Sequence, residues 1–203
     1  LAPGEFIAIA EETGSLEPMD WQLYDLVCAD LPRLCRSGGY ATLNVSPRHL
    51  RAPDFDQRLL ALMSRHAVKP GQLRLEVTEG ALLEQPELVQ GCLGRLRDAG
   101  VLTLLDDFGT GYSSLSYLHR FALHGLKVDR SFVAELREGD TGSGSGSTIV
   151  RAIQLMAQSL GLEVIAEGIE TQEQSEQLRH LGLSLGQGYL FAKPASAAEV
   201  LAR

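Results

Sequence analysis

The stretch VLTLLDDFGTGYSSL, Val101 to Leu115, decides the fold. Val101, Leu102, Leu104 and Leu105 form a short aliphatic run that predicts a buried strand. The run stops at two adjacent carboxylates, Asp106 and Asp107. A glycine-rich loop with Gly109 and Gly111 follows, and a helix is expected from Ser113 to Phe121. Two acids at the mouth of an apolar strand repel each other and are costly to desolvate, so they require cations or protonation. For an isolated Asp-Asp pair, an acidic turn capping the next helix is an equally good reading.

Outward from that stretch the same rhythm repeats. Strands are predicted at Tyr40–Val45, Gln72–Thr78, Gly125–Asp129, Glu163–Ala166 and Gly188–Phe191. Helices are predicted from Ser15 or Asp20 to about Cys35, over His49–His66 with a break near Pro53, and over Pro86–Ala99 with Gly100 as its cap. Further helices are expected at Thr148–Leu160, Thr171–Leu181 and Ala195–Arg203, while Phe6–Ala10 reads as a short helix or strand. The alternation implies a parallel sheet with helical crossovers. Six such strands fall short of the usual eight-strand barrel. The expectation is one α/β domain over 1–203, a modified TIM-type barrel whose first strands precede Leu1, with an open sheet as the alternative. The Gly/Ser-rich segment Arg137–Ser147 is expected to be a mobile loop.

Composition narrows the function. A net charge of −8 over 203 residues argues against a grip on DNA or RNA polymers, which relies on basic patches. A small anionic ligand held through metal ions stays compatible with it. Cys28, Cys35 and Cys92 are too scattered for a disulfide framework or a zinc site and read as small apolar residues. Their reduced state points weakly to the cytoplasm. No run approaches the ~18 apolar residues of a membrane helix.

Polar residues gather at the carboxyl ends of the predicted strands. Asn44 comes first, then Glu76 with Glu79, Asp106 with Asp107, Lys127 with Asp129, Glu167 with Glu170, and Gln187 at the entry to the last strand. In a parallel barrel these ends converge on the face where active sites are built. Nearly all are oxygen donors, which suits Mg²⁺ or Mn²⁺, and no histidine is among them, which disfavours zinc. Singly each has a plainer role: Asn44 as a turn former, Glu76 and Glu79 as solvent-facing residues, Glu170 as a helix-start acid. Lys127 between Leu126 and Val128 is harder to dismiss, because a lysine in an apolar strand needs an acidic partner. Together they read as a site. His49, His66, His119, His124 and His180 fall on helices or connections, and no base is placed to activate Tyr112, Ser113 or Ser114 as a nucleophile.

The elements AEETG at Ala10, NVS at Asn44, LEVTE at Leu75, DDFGTGYSSL at Asp106, LKVDRSFV at Leu126, AEGIET at Ala166 and GQGYLFAKP at Gly186 occur in this order across nearly the whole chain. In them the sequence resembles the EAL-domain family of cyclic di-GMP phosphodiesterases. The resemblance implies that Asn44, Glu76, Asp106, Asp107 and Glu167 serve a two-metal site holding Mg²⁺ or Mn²⁺. It implies that Lys127 assists the attacking water, that Glu79 holds the DFGTGYSS loop, and that Glu170 and Gln187 complete the catalytic pocket. Asp129 is implied on the substrate side. The implied reaction opens cyclic di-GMP to linear pGpG, in a homodimer joined to upstream sensor or GGDEF-type domains, with membrane attachment only through an upstream segment. The Glu-Ala-Leu tripeptide that names the family does not occur in these residues. Its glutamate is a metal ligand in the family, so an inactive cyclic di-GMP receptor is the alternative, and an interaction domain without nucleotide is the third.

Overall fold

The computed structural model describes residues 3–36, 38–109, 118–136 and 144–202. Two helices, α1 (Pro3–Glu12) and α2 (Leu16–Leu34), precede the first strand, β1 (Ala41–Asn44). Then come α3 (Pro47–Arg51), α4 (Phe55–Arg65), β2 (Leu73–Thr78), α5 (Glu79–Leu83), α6 (Pro86–Asp98) and β3 (Leu102–Phe108). The chain continues through β4 (Gly125–Val128), α7 (Arg130–Ala134), α8 (Ser145–Leu160), β5 (Glu163–Ala166), α9 (Gln172–His180), β6 (Leu185–Gly186) and α10 (Ala197–Leu201).

The six strands pair in chain order, all parallel, and curl into a half-barrel with helices outside. Parallel register puts paired residues on the same face, and successive residues on opposite faces. Leu73, Leu75 and Val77 of β2 are fully packed against the helices. Arg74, Glu76 and Thr78 therefore face the concave side. Arg74 crosses it to reach Glu163 of β5, Nη1 to Oε2 at 2.6 Å, and this tie closes the floor. Glu76, two residues on, stands at the mouth. The outer core joins Tyr24, Cys28 and Leu31 of α2, Phe55 and Leu59 of α4, Leu93 and Leu96 of α6 and Val150 of α8 to the strands. Burial pushes the thiols of Cys28 and Cys92 up to about 11, which makes them packing residues rather than reactive ones.

Local signals explain the element ends. Ser46 accepts from His49 N–H ahead of Pro47, and Thr171 with Gln174 forms a reciprocal capping box on α9. Gly161, with φ +68°, ends α8 in the left-handed region.

Several boundaries differ from the sequence reading. The break near Pro53 splits the predicted helix into α3 and α4, and Phe6–Ala10 is helical within α1. The one-turn helices α5 and α7 have no apolar period to reveal them. The last strand lies at Leu185–Gly186 rather than at Gly188–Phe191. Gly188 instead packs so closely that a Cβ there would overlap the backbone of Ile169, and the following residues turn. Helix α8 starts at Ser145 rather than Thr148, because Gly146 lets its first turn rest on Phe132 O, 2.9 Å from where a Cβ would stand. Residues 137–143 of the Gly/Ser segment lie outside the described residues. So do Tyr112, Ser113, Ser114 and most of the helix expected from Ser113, whose described remainder, Leu118–Phe121, is not helical. Among the described residues no helix is long and apolar enough to cross a membrane.

Candidate active site at the carboxyl ends of the strands

Adjacent residues of a regular strand point to opposite faces, so Asp106 and Asp107 cannot share a site without a local irregularity. The structure supplies one. Leu105 pairs with Leu126 and Phe108 with Val128, which leaves both aspartates opposite the single residue Lys127. This is a β-bulge, and Asp107 takes φ +53° within it. The outcome is a carboxylate cluster in which ligand oxygens of Asp106, Asp107 and Glu167 all lie within 4.8 Å of one another.

Lys127 binds the cluster from below. Its Nζ lies 2.7 Å from Glu76 Oε2 and 3.0 Å from Asp106 Oδ1, and it also contacts Glu167 Oε1. Burial pulls this lysine down, but hydrogen bonds to Glu167 and Glu76 outweigh it, so its pKa is raised and it stays an ammonium. Burial raises the Glu167 carboxyl despite Lys127. Burial, Asp106 and Asp129 together raise that of Asp107. One cation facing four acids leaves excess negative charge at the mouth. This all-oxygen donor set fits a hard divalent ion.

The other predicted residues surround this centre. Asn44 stands beside Glu76 in the β1–β2 register, at the end of β1. Glu79 opens α5 and accepts from Gly109 N–H at 3.4 Å, at the start of the glycine-rich loop. Gln187 donates to Glu167 Oε1 at 2.7 Å. Asp129 caps α7, accepting from Ser131 N–H at 3.0 Å, and Ser131 and the nearby backbone lower its pKa against the effect of burial. Glu170 is exposed, outside the carboxylate cluster, and lines a cavity of about 600 Å³ with Glu167 and Gln187. Arg130, Tyr189 and Lys193 share that wall and were not singled out by sequence reasoning. Arg130 follows Asp129 directly, but an arginine at a helix start carries no pattern of its own.

A parallel half-barrel with a carboxylate cluster at its mouth defines a class: an α/β barrel-type fold with an acidic site at the carboxyl end of its strands. The EAL domain pattern matches residues 1–194, and the chain belongs to the EAL-domain family. It is 40% identical over 199 residues to the cyclic di-GMP phosphodiesterase NbdA of Pseudomonas aeruginosa, covering 96% of this chain and 25% of that protein. The chain thus spans about a quarter of that relative's length. The solved structure of the MucR phosphodiesterase of Pseudomonas aeruginosa in complex with c-di-GMP superposes with a TM-score of 0.88 at 34% identity, covering 98% of this chain and 87% of that one. The manganese and c-di-GMP complex of Klebsiella pneumoniae BlrP1 gives a TM-score of 0.82 at 31% identity, covering 95% of this chain and 48% of that one.

Proposed function

We propose that this chain is the catalytic domain of a metal-dependent phosphodiesterase that opens cyclic di-GMP to linear pGpG. The observation that carries the reading is the bulge, which turns Asp106 and Asp107 to the same mouth, with Glu167 beside them. Asn44, Glu76, Asp106, Asp107 and Glu167 would hold two Mg²⁺ or Mn²⁺ ions. Such ions supply a water of lowered pKa and neutralise phosphoryl oxygens. The protein's own groups do the rest. Lys127, held as an ammonium, gives its three donors to Glu76, Asp106 and Glu167 and so fixes these carboxylates around the attacking water; it removes no proton. Gln187 fixes the Glu167 carboxylate, and Glu79 anchors Gly109 at the loop start. Arg130 and Lys193 at the cavity wall offset the charge of the dinucleotide, with Glu170 on the same wall and Asp129 on the substrate side. The domain works in the cytoplasm as a homodimer, joined to sensor or GGDEF-type domains.

A receptor that binds without turnover is the second reading. Incubating the full-length protein with cyclic di-GMP and Mn²⁺ separates the two. Linear pGpG supports the phosphodiesterase, and saturable binding without product supports the receptor.

A further inference from the structure

Asn44 ends β1, and its backbone is held from outside the sheet. Alternate residues of a parallel strand bond the same neighbour. Val45 N–H donates to Glu76 O of β2 at 2.9 Å. The Asn44 carbonyl therefore faces away from β2, and there Tyr24 of α2 meets it, Oη to O at 3.3 Å. The same hydroxyl lies 3.1 Å from His49 Nδ1. A carbonyl only accepts, and a tyrosine carries one proton. Both contacts are hydrogen bonds in a single arrangement: Tyr24 donates to Asn44, and His49 donates from Nδ1 to Tyr24. Nδ1 carries the proton this arrangement needs in the protonated ring and in one neutral tautomer alike, and burial lowers the His49 pKa against the pull of Asp20. His49 Nε2 is left without a hydrogen-bond partner, 3.9 Å from Asp20 Oδ2.

Both rings are locked in place. Tyr24 is 1% and His49 2% exposed. Trp21 and Phe55 each pack 5.5 Å from the His49 ring, and Trp21 meets Tyr24 edge-on at 5.4 Å. A buried tyrosine hydroxyl needs a partner, and the acceptor it takes here is the backbone carbonyl of a candidate ligand residue.

We propose that Tyr24 and His49 are positioning residues, which fix the backbone of Asn44 and so aim its amide oxygen at the metal site. This rests on the reading of Asn44 as a ligand given above. Removing partners one layer behind a metal ligand typically costs tenfold or more in metal affinity.

The test is Mn²⁺ affinity of the full-length protein, titrated by EPR, with turnover of cyclic di-GMP measured in parallel. Tyr24→Phe keeps the ring and removes the donor. It is expected to weaken Mn²⁺ binding about tenfold and to lower kcat with KM unchanged. His49→Leu should match it, whereas His49→Asn, which retains a donor near the Nδ1 position, should restore affinity; this pair decides the matter if Tyr24→Phe misfolds. Asn44→Ala is titrated alongside. If Asn44→Ala weakens Mn²⁺ binding and both Tyr24→Phe and His49→Leu leave it within twofold, the positioning role is overturned alone. Should Asn44→Ala also leave it unchanged, the ligand role of Asn44 falls and the positioning role falls with it.

Discussion

Lys127 Nζ lies 2.7 Å from Glu76 Oε2, deep enough in the mouth that each side chain is only 5% exposed. With Asp106 and Glu167 also in reach, this ammonium is the counter-charge for a group of acids. A buried charge stripped of its partner is strongly destabilising. Lys127→Met should therefore lower the stability of the metal-free protein by about 3 kcal/mol. Mn²⁺ should restore more in the variant than in the parent, because the ion takes over the lost compensation. Thermal melts with and without Mn²⁺ measure both; equal Mn²⁺ shifts would contradict the picture.

Asp106→Asn keeps an oxygen for Lys127 and for the Asp107 N–H, which it now meets at 3.0 and 3.1 Å. The change removes a charge without emptying space. Hydrolysis of cyclic di-GMP should fall by roughly 100-fold or more, with a melting temperature close to the parent's. Parent-like turnover would refute the role of Asp106 in the site.

Asp56 offers a stability test far from the chemistry. Its carboxyl is buried, its Oδ2 lies 2.5 Å from Arg95 Nε, and its Oδ1 has no hydrogen-bond partner. The hydrogen bond from Arg95 lowers its pKa against the cost of burial. The pair's contribution is therefore present above the ordinary aspartate range and is lost as pH falls through the depressed value. Arg95→Ala strands a buried carboxylate and should cost about 2 kcal/mol at neutral pH, a loss that shrinks on acidification. Asp56→Asn leaves only an exposed arginine and should cost less. Urea titrations of both variants at pH 7 and pH 4 decide the sign; Asp56→Asn proving the costlier would count against it.

Gly188 and Gly161 make a matched pair. At Gly161 the φ of +68° is the only obstacle to a side chain, since a Cβ meets nothing within 4 Å. Gly161→Ala should cost about 1 kcal/mol. At Gly188 a Cβ would overlap the Ile169 backbone, so Gly188→Ala must displace the segment that carries Gln187. It should cost more than Gly161→Ala in denaturant titrations and also reduce turnover; an effect on neither would contradict the packing described.

Strand–helix alternation was legible because short aliphatic runs and glycine caps are local signals. The site was legible for a related reason: in a parallel sheet every strand end faces the same way, so polar residues at those ends meet whatever the loops do. Long-range geometry was not. Nothing in Gly188-Tyr-Leu-Phe191 announces that Ile169 presses against Gly188 and turns a strand-like run aside. The link from His49 through Tyr24 to Asn44 joins three elements whose spacing carries no periodic mark. On α2 itself, Leu23 and Leu26 are exposed, and the buried face runs through Tyr24, Cys28 and Leu31.

The two-for-one count at Asp106 and Asp107 is self-contained. Leu105 and Phe108 keep their partners on β4 as if nothing lay between them. The register shifts by one residue across the irregularity, and pairing resumes directly after it. Removing either aspartate would heal the strand into plain alternation, with one acid at its tip and Phe108 still packed where it is. A single inserted codon is thus the whole distance between an ordinary parallel strand and one that presents two carboxylates at the same spot.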